Sequence, residues 1–353
     1  MPKIFAVKMS TLAVFCLALL LLSCSGDFDN ETSAKDAYGP GDLLDDLADD
    51  DTTGDDDADD DADDDVDDDA DDDMDDDLEL KGFNVLYFDV GLGDAMLISI
   101  PDGPDMHYVL IDGGTVGEGQ YAICPVLEEL GIDALDIMIM THPHFDHCGG
   151  LSELFDCVEI MELWENGDEL PGDDGYDVYD LARNGWSGDV FYPNFGYVEY
   201  IGQAALRVLS TLADFSRVND NSMVLSISYS GKTFLFGADA EIAEQSYLMA
   251  AWPDLLPSDV LKVPCHAGPS IQGFIDGATA PVGIVSVGEN SLGYPHQATL
   301  DAYEATGMDL YITEETGNIL ATINEDDEIV LTMPFPPLEE SQGKNAASLI
   351  PFF

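Results

Sequence analysis

Basic side chains are nearly missing from this chain: ten Lys and Arg stand against 73 Asp and Glu in 353 residues, a formal net charge of −63. Residues 82–353 alone hold 44 acidic and six basic side chains. Nucleic-acid binding draws much of its affinity from Lys and Arg contacts to phosphate. A nucleic-acid polymer is therefore disfavoured as a partner, unless bound metal ions offset the local field. A high-salt habitat selects a similar surface. Histidine is scarce as well, six in all, with none between His147 and His266. Long apolar runs are also lacking. Thr11 to Leu22 is such a run, but it is shorter than the roughly 20 residues a membrane-spanning helix needs.

What the N-terminus does hold is a targeting pattern. Lys3 and Lys8 precede the apolar run, which leads into Leu21-Leu-Ser-Cys24. Those four residues resemble a bacterial lipoprotein processing site, where the cysteine becomes the first residue and carries acyl chains. The resemblance implies a signal peptide over 1–23, lipidation of Cys24, and an exported lipoprotein at the outer membrane or cell surface, with Ser25 favouring the outer membrane. Acyl chains anchor through about 0.8 kcal/mol per buried methylene. An ordinary signal peptide with an incidental Cys24 is the alternative. Residues 24–81 read as an acidic linker. Between 55 and 77, Asp triplets are separated by Ala58, Ala62, Val66, Ala70 and Met74. Like charges four residues apart repel and aspartate is a poor helix former. The stretch is expected to be an extended, disordered spacer reaching at most about 80 Å. As a calcium repeat it lacks the glycine and terminal glutamate of an EF-hand loop.

The densest chemistry lies in Thr141-His-Pro-His-Phe-Asp-His147, followed by Cys148-Gly-Gly150. Four candidate metal ligands, His142, His144, Asp146 and His147, fall within six positions. They follow Leu135 to Met140, an apolar run that reads as a buried strand. Gly149-Gly150 and Leu151-Ser-Glu-Leu-Phe155 then read as a helix start. Imidazoles suit zinc and related ions, and a carboxylate can bridge to a second ion.

This motif resembles the metallo-β-lactamase superfamily. Phe88-Asp-Val-Gly-Leu-Gly-Asp-Ala-Met-Leu97, Pro101-Asp-Gly103 and Leu110-Ile-Asp-Gly-Gly114 look like the start of the metallo-β-lactamase-like domain of the competence DNA-uptake channel family, ComEC. Asn221-Ser-Met-Val-Leu225, Phe234-Leu-Phe-Gly-Ala-Asp-Ala-Glu241, Leu261-Lys-Val-Pro-Cys-His266 and Val285-Ser-Val-Gly-Glu-Asn290 continue it in the same order, over roughly residues 82–325. The transmembrane helices that accompany this domain in the channel are not seen here, so the channel role is not expected.

The resemblance implies a site. His142 and His144 would share one ion, Asp146 and His147 the other, and Asp239 would bridge both. Asp112 would orient the ligand loop, and Asp112 and Asp146 are the carboxylates expected to take part in catalysis. His266 is a further candidate ligand. Three departures stand out. No histidine lies between His147 and His266 to complete the first set, with Asp220 or Asn221 as weak substitutes. Cys265 stands where the family has a histidine. Tyr294 replaces another, with His296 two places on. A Cys265 thiolate could ligate zinc, whereas a Cys148–Cys265 disulfide would remove it. Of the three pairings open to Cys124, Cys148, Cys157 and Cys265, Cys124 with Cys157 is preferred, because these lie on or next to the helices after consecutive strands.

The remaining pattern reads as α/β. Paired strands over 82–90 and 95–100, a strand at 107–111 and a helix over 121–130 precede the ligand loop. Residues 165–196 read as a polar, aromatic-rich insert of the kind that forms a lid. Strands at 204–211, 222–229, 233–236, 260–263, 282–287, 309–312 and 318–323 alternate with helices at 240–250 and 297–305. This predicts a four-layer αβ/βα sandwich, a single domain over 82–333, with a tail over 334–353. The functional expectation is an exported, lipid-anchored hydrolase of phosphodiesterase type. It would use metal-activated water with one or two zinc ions, manganese being possible, on a small or polymeric phosphodiester. Its rival is a non-catalytic surface lipoprotein of the same fold with a degraded metal site.

Overall fold

The computed structural model of the chain describes residues 80–211 and 215–335. The expected signal peptide, Cys24, the Asp repeats and nearly all of the tail lie outside the described residues.

Two sheets form the centre. The first has the order β15-β14-β1-β2-β3-β4-β5-β6, built from β1 (Asn84–Tyr87), β2 (Met96–Asp102), β3 (Asp105–Ile111), β4 (Ala134–Met140), β5 (Glu159–Glu165), β6 (Val190–Phe191), β14 (Ile319–Ile323) and β15 (Ile329–Thr332). The second has the order β13-β12-β11-β10-β9-β8-β7, from β7 (Val198–Ile201), β8 (Ala204–Ser210), β9 (Val224–Tyr229), β10 (Lys232–Phe236), β11 (Val260–Lys262), β12 (Val282–Val285) and β13 (Asp309–Ile312).

Side-chain alternation along the strands explains the layering. Val85, Tyr87, Ile98, Ile111 and Ile139 of the first sheet share one buried cluster with Leu206, Val208, Ile227, Phe234 and Ile284 of the second. Their neighbours Leu86, Leu97, Leu110 and Met138 point the other way. They pack under α1 (Cys124–Glu129), α3 (Leu151–Cys157) and α4 (Asp174–Gly185). A third cluster, with Leu235, Leu261 and Val285, lies under α5 (Ile242–Ala251), α6 (Gln272–Ala278) and α7 (Gln297–Glu304). Helices outside and two sheets inside make the four-layer αβ/βα sandwich. Cys124 and Cys157 form a disulfide that ties α1 to α3.

The insert differs from the expected open loop. Residues 174–185 form α4, capped by Asp173, whose carboxylate accepts from the amides of Gly175 and Tyr176. Tyr176 and Tyr179 are buried in the helix-side cluster, and β6 extends the first sheet beside β5. The polar residues counted as loop are the outer face of an amphipathic helix. The edge strands β7 and β15 are only four residues each, Val-Glu-Tyr-Ile and Ile-Val-Leu-Thr, too short for their alternation to mark them in the sequence.

Candidate metal centre

The site forms where strand ends of both sheets converge. β3 and β4 pair in parallel with Ile111 opposite Ile139, so their C-terminal ends deliver Asp112 and Thr141 side by side. Asp112 Oδ1 accepts from the Thr141 amide at 2.8 Å and Oδ2 from the Thr141 hydroxyl at 2.7 Å. The ligand loop then turns into α2 (Phe145–Cys148), with His144 as its extended N-cap. Another loop leans on it from β1–β2: the Asp94 amide donates to the Asp146 carbonyl at 3.1 Å. Gly93 makes that approach possible. At its φ of +141° a Cβ would lie 2.3 Å from the same carbonyl oxygen.

Hydrogen bonds set the imidazole tautomers. His147 Nδ1 lies 2.8 Å from Asp112 Oδ2, and His266 Nδ1 lies 2.8 Å from the Ser286 carbonyl. Both acceptors require a proton on Nδ1, which turns Nε2 of each ring inward as a lone-pair donor. Those two Nε2 atoms lie 3.3 and 3.4 Å from Asp239 Oδ1. His266 Nε2 is also 3.4 Å from Asp146 Oδ2. His142 Nδ1 meets the Thr141 hydroxyl at 3.2 Å, while its Nε2 lies 3.0 Å from His144 Nδ1 and 3.7 Å from Asp239 Oδ2.

Two ligand sets result. His142, His144 and Asp239 converge in one, and Asp146, His147 and His266 in the other, the ligating atoms of each set lying within 4.8 Å of one another. The donor chemistry fits a cation. His147 Nε2, His266 Nε2 and Asp239 Oδ1 are buried and, among the described residues, have no hydrogen-bond partner. Buried polar atoms left in this state are costly, and a divalent ion would satisfy all three.

Electrostatics follow the same geometry. Burial opposes charge on Asp239, yet His147 and His266 hold its carboxyl well below the usual range. Burial also opposes charge on His147, yet Asp239 and Asp112 hold its imidazole well above the usual value. His142 goes the other way. Burial first, then His147 and His144, push it well below the ordinary value. It is neutral near pH 7, the form that ligates metal.

Two participants were not recognised in the sequence. Asp94 and Lys262 are fully buried and form an ion pair. Lys262 Nζ also donates to the Ala238 carbonyl at 3.3 Å. Asp94 lies 3.6 Å from His266 Nδ1 and shares a third possible ligand set with His147 and Asp239. Its pairing with Lys262 leaves the other two sets as the better cation sites. The signal was present: a lone lysine inside the apolar strand Val260 to Val263 is expensive to bury without a partner.

Other candidates fall outside the ligand sets. Cys265 is buried with its Sγ 3.8 Å from both Asn219 Nδ2 and the Tyr294 hydroxyl. Cys148 is a free thiol in the helix-side apolar layer, so no Cys148–Cys265 bridge competes. Tyr294 packs its ring 6.0 Å from that of His266. His296 is exposed at the N-cap of α7 and takes no part. Asp220 and Asn221 do not fill the missing histidine position: Asp220 Oδ1 accepts from the Glu244 amide, and Asn221 Oδ1 from the Phe215 amide.

Residues 89–264 match the model of the Metallo-beta-lactamase superfamily, and the chain carries a domain of that superfamily. Among curated proteins it is similar to ComE operon protein 3 of Bacillus subtilis (strain 168), 27% identical over 261 residues, which cover 65% of this chain and 32% of that protein. It is also similar to Competence protein ComA of Neisseria gonorrhoeae, 25% identical over 242 residues, covering 66% and 31%. The chain thus spans about a third of the length of these relatives. Among solved structures, the metallo-beta-lactamase fold protein YhfI from Bacillus subtilis aligns with a TM-score of 0.43 at 13% identity, covering 67% of this chain and 98% of that one. Among the described residues, no helix is long and apolar enough to cross a membrane.

Proposed function

We propose that the domain is a metal-dependent hydrolase of phosphodiesters, carried on an exported, lipid-anchored polypeptide at the outer membrane or cell surface. The observation that carries the catalytic part is the convergence of the unpartnered His147 Nε2 and His266 Nε2 on Asp239 Oδ1. In this reading His142, His144 and Asp239 would hold one ion, and Asp146, His147 and His266 would hold a second. Zinc suits this mixed imidazole and carboxylate set, with manganese as the alternative. A divalent cation supplies Lewis acidity to a phosphoryl oxygen and acidifies water.

The residues do the rest. Asp112 keeps the proton on His147 Nδ1 and fixes the ligand loop through Thr141. Ser286 does the same for His266 through its carbonyl. Asp146, 3.4 Å from His266 Nε2, is the carboxylate placed to accept a proton from the attacking water. The acidic domain disfavours a nucleic-acid polymer, so a small phosphodiester fits better than a long one. The anchor rests on Leu21-Leu-Ser-Cys24, and an acylated Cys24 at the mature N-terminus, found by mass spectrometry, would test it.

A non-catalytic surface protein is the second reading. It is favoured by Cys265, whose thiol faces Asn219 and Tyr294 rather than either ligand set. Metal analysis and turnover separate the two. Protein purified without chelator and resupplied with zinc or manganese should bind one to two equivalents and hydrolyse bis(p-nitrophenyl) phosphate. Less than one equivalent and no turnover would sink the hydrolase. One firmly held ion without turnover would select the second reading.

A further inference from the structure

The rim of the metal site holds one feature that runs against the charge of the whole domain. Among the described residues, Lys81 and Arg217 are the exposed cations, and Arg217 stands beside the site. Its side chain is 66% exposed, and Nη1 donates to Glu241 Oε2 at 2.5 Å. Glu241 lies two residues beyond Asp239, at the N-cap of α5. Its other oxygen accepts from Asn219 Nδ2 at 3.1 Å. Asn219 reaches on to Cys265 Sγ, and Cys265 to the Tyr294 hydroxyl, each at 3.8 Å. Tyr294 completes the arc against the His266 ring. Arg217, Glu241, Asn219, Cys265 and Tyr294 thus form a continuous polar border on one side of the ligand cluster.

Glu241 fixes the guanidinium without exhausting it. A guanidinium carries five N–H donors in a planar fork, and Glu241 takes the Nη1 edge. With the side chain two-thirds exposed, its remaining donors are open to a group arriving from solvent. A substrate approaching this domain meets a repulsive field almost everywhere, so an oriented cation at the entrance weighs more here than on a neutral surface. Arg prefers planar or multidentate oxyanions, such as carboxylate and phosphate.

Resting on the hydrolase reading, we infer that Arg217 is a specificity-determining residue that binds a second anionic group of the substrate. The preferred substrate is then a compact phosphodiester with a carboxylate or phosphate on one ester arm, the diester at the ligand cluster and the second anion at Arg217. Glu241 orients the guanidinium through one edge and partly offsets its charge, so it weakens the attraction for the substrate anion without leaving its place.

A matched pair of probes tests this on the metal-loaded full chain: ethyl p-nitrophenyl phosphate, and the same diester with a 2-carboxyethyl arm. Wild-type protein should show a KM about fivefold lower for the carboxyethyl diester, the scale of one charge-assisted contact at a partly exposed site. Arg217→Ala should erase that preference with kcat for the ethyl diester unchanged. Arg217→Lys should restore part of it, and Glu241→Gln should enlarge it. Inorganic phosphate, titrated calorimetrically into metal-loaded protein, gives a readout independent of turnover. Its affinity should fall about fivefold in Arg217→Ala. Equal phosphate affinity in wild type and Arg217→Ala overturns the inference, whether or not either diester is cleaved. Arg217-dependent phosphate binding without cleavage of either diester would retain the anion site and reject the hydrolase reading instead.

Discussion

The two sheets contribute to the metal centre in opposite ways. The first delivers His142, His144, Asp146 and His147 from one short loop after β4, presented by a strand end and a single turn of helix. The second delivers Asp239 and His266 one at a time, from separate strand ends. It does so through backbone that residues with side chains seldom adopt: Ala238, Cys265, His266 and Ala267 have φ of +43°, +50°, +51° and +58°. The supports differ too. The first half is braced covalently, by Cys124–Cys157 across the helices flanking the ligand loop. The second shares the apolar core with the first and meets it at the site through a buried Lys–carboxylate pair, Lys262 with Asp94. Ligand number thus comes from the first sheet, and the joining of the two ligand sets comes from the second.

The largest effect should follow from removing that junction. Asp239→Ala takes a ligand from the first set and the carboxylate oxygen that faces both His147 Nε2 and His266 Nε2. Bound metal should fall for both ions, and phosphodiester turnover should drop at least about 100-fold, since even small misplacement of reacting groups costs that much. His142→Ala should affect one ion only. His107, paired with Asp136 at 2.7 Å on β3, lies outside the ligand sets, and His107→Ala should leave metal content unchanged. Metal analysis of the folded variants checks all three. Equal losses in Asp239→Ala and His142→Ala would end the idea of a single junction.

The ion pair and the disulfide are next. Lys262→Met leaves the Asp94 carboxylate buried without its partner, at a cost of about 3–5 kcal/mol in stability. Adding Asp94→Asn should recover much of that loss, which a double-mutant cycle by urea denaturation would measure. Metal affinity should not fall in Lys262→Met, because losing a buried cation and freeing the Asp94 carboxylate beside the ligand sets both favour a divalent ion. Replacing Cys124 and Cys157 opens a bridge of sequence separation 33, worth roughly 3–4 kcal/mol by loop entropy. Here the stability loss should leave metal stoichiometry intact, since none of the six ligands belongs to the bridged helices. A loss of metal in the Cys124→Ala/Cys157→Ala variant would show that the first half depends on its brace for ligand geometry.

The same contrast explains what could be seen in the sequence. The first-sheet ligands are contiguous, so their types and spacing alone point to metal chemistry. Asp239 and His266 lie about 90 and 120 residues farther on, and no spacing rule connects them to the loop. Only the collinear family motifs brought them together. Asp94 and Lys262 escaped because their meaning is mutual: each reads as a turn aspartate or a stray lysine until the sheets pack. The layered fold was legible from period-two strands and amphipathic helices. The helix α4 was not, because its Gly, Asp and aromatic content resembles a loop until Asp173 caps it and Tyr176 and Tyr179 turn inward. Cys265 and Tyr294 were noticed as departures, but their role as a rim rather than a ligand pair depends on backbone dihedrals that no local pattern announces.

A pH effect probes the second half further. Glu244 on α5 is fully buried, and burial, with the nearby Asp220 and Asp239 charges added, holds its carboxyl well above the usual 4.5. A raised folded-state value means the neutral carboxyl is the favoured native form. Its stabilisation is complete below pH 4.5 and is lost as pH rises through the folded value. Over that window wild-type stability should fall, relative to Glu244→Gln, by up to about 1.4 kcal/mol per pH unit. Denaturation midpoints measured from pH 5 to pH 9 would reveal it. Parallel pH profiles for the two proteins would mean that folding leaves the proton affinity of the Glu244 carboxyl unchanged.

The smallest effect concerns the strained backbone itself. Ala238 carries the carbonyl that accepts from Lys262 Nζ and from the Cys265 amide, and it immediately precedes Asp239. Its φ of +43° costs an alanine about 1 kcal/mol relative to glycine. Its methyl is 1% exposed, and burying one such group contributes about 0.8 kcal/mol. The two terms oppose each other, so Ala238→Gly should change stability by no more than about 0.5 kcal/mol in either direction. Metal affinity should also hold, because the carbonyl contacts are made by backbone atoms that glycine retains. Chemical denaturation and competition with a zinc chelator would measure both quantities. A stability loss well above 1 kcal/mol would mean that methyl packing, not backbone geometry, governs this turn. Weaker zinc binding at unchanged stability would mean that the side chain at 238 stiffens the approach of Asp239 to the ligand loop.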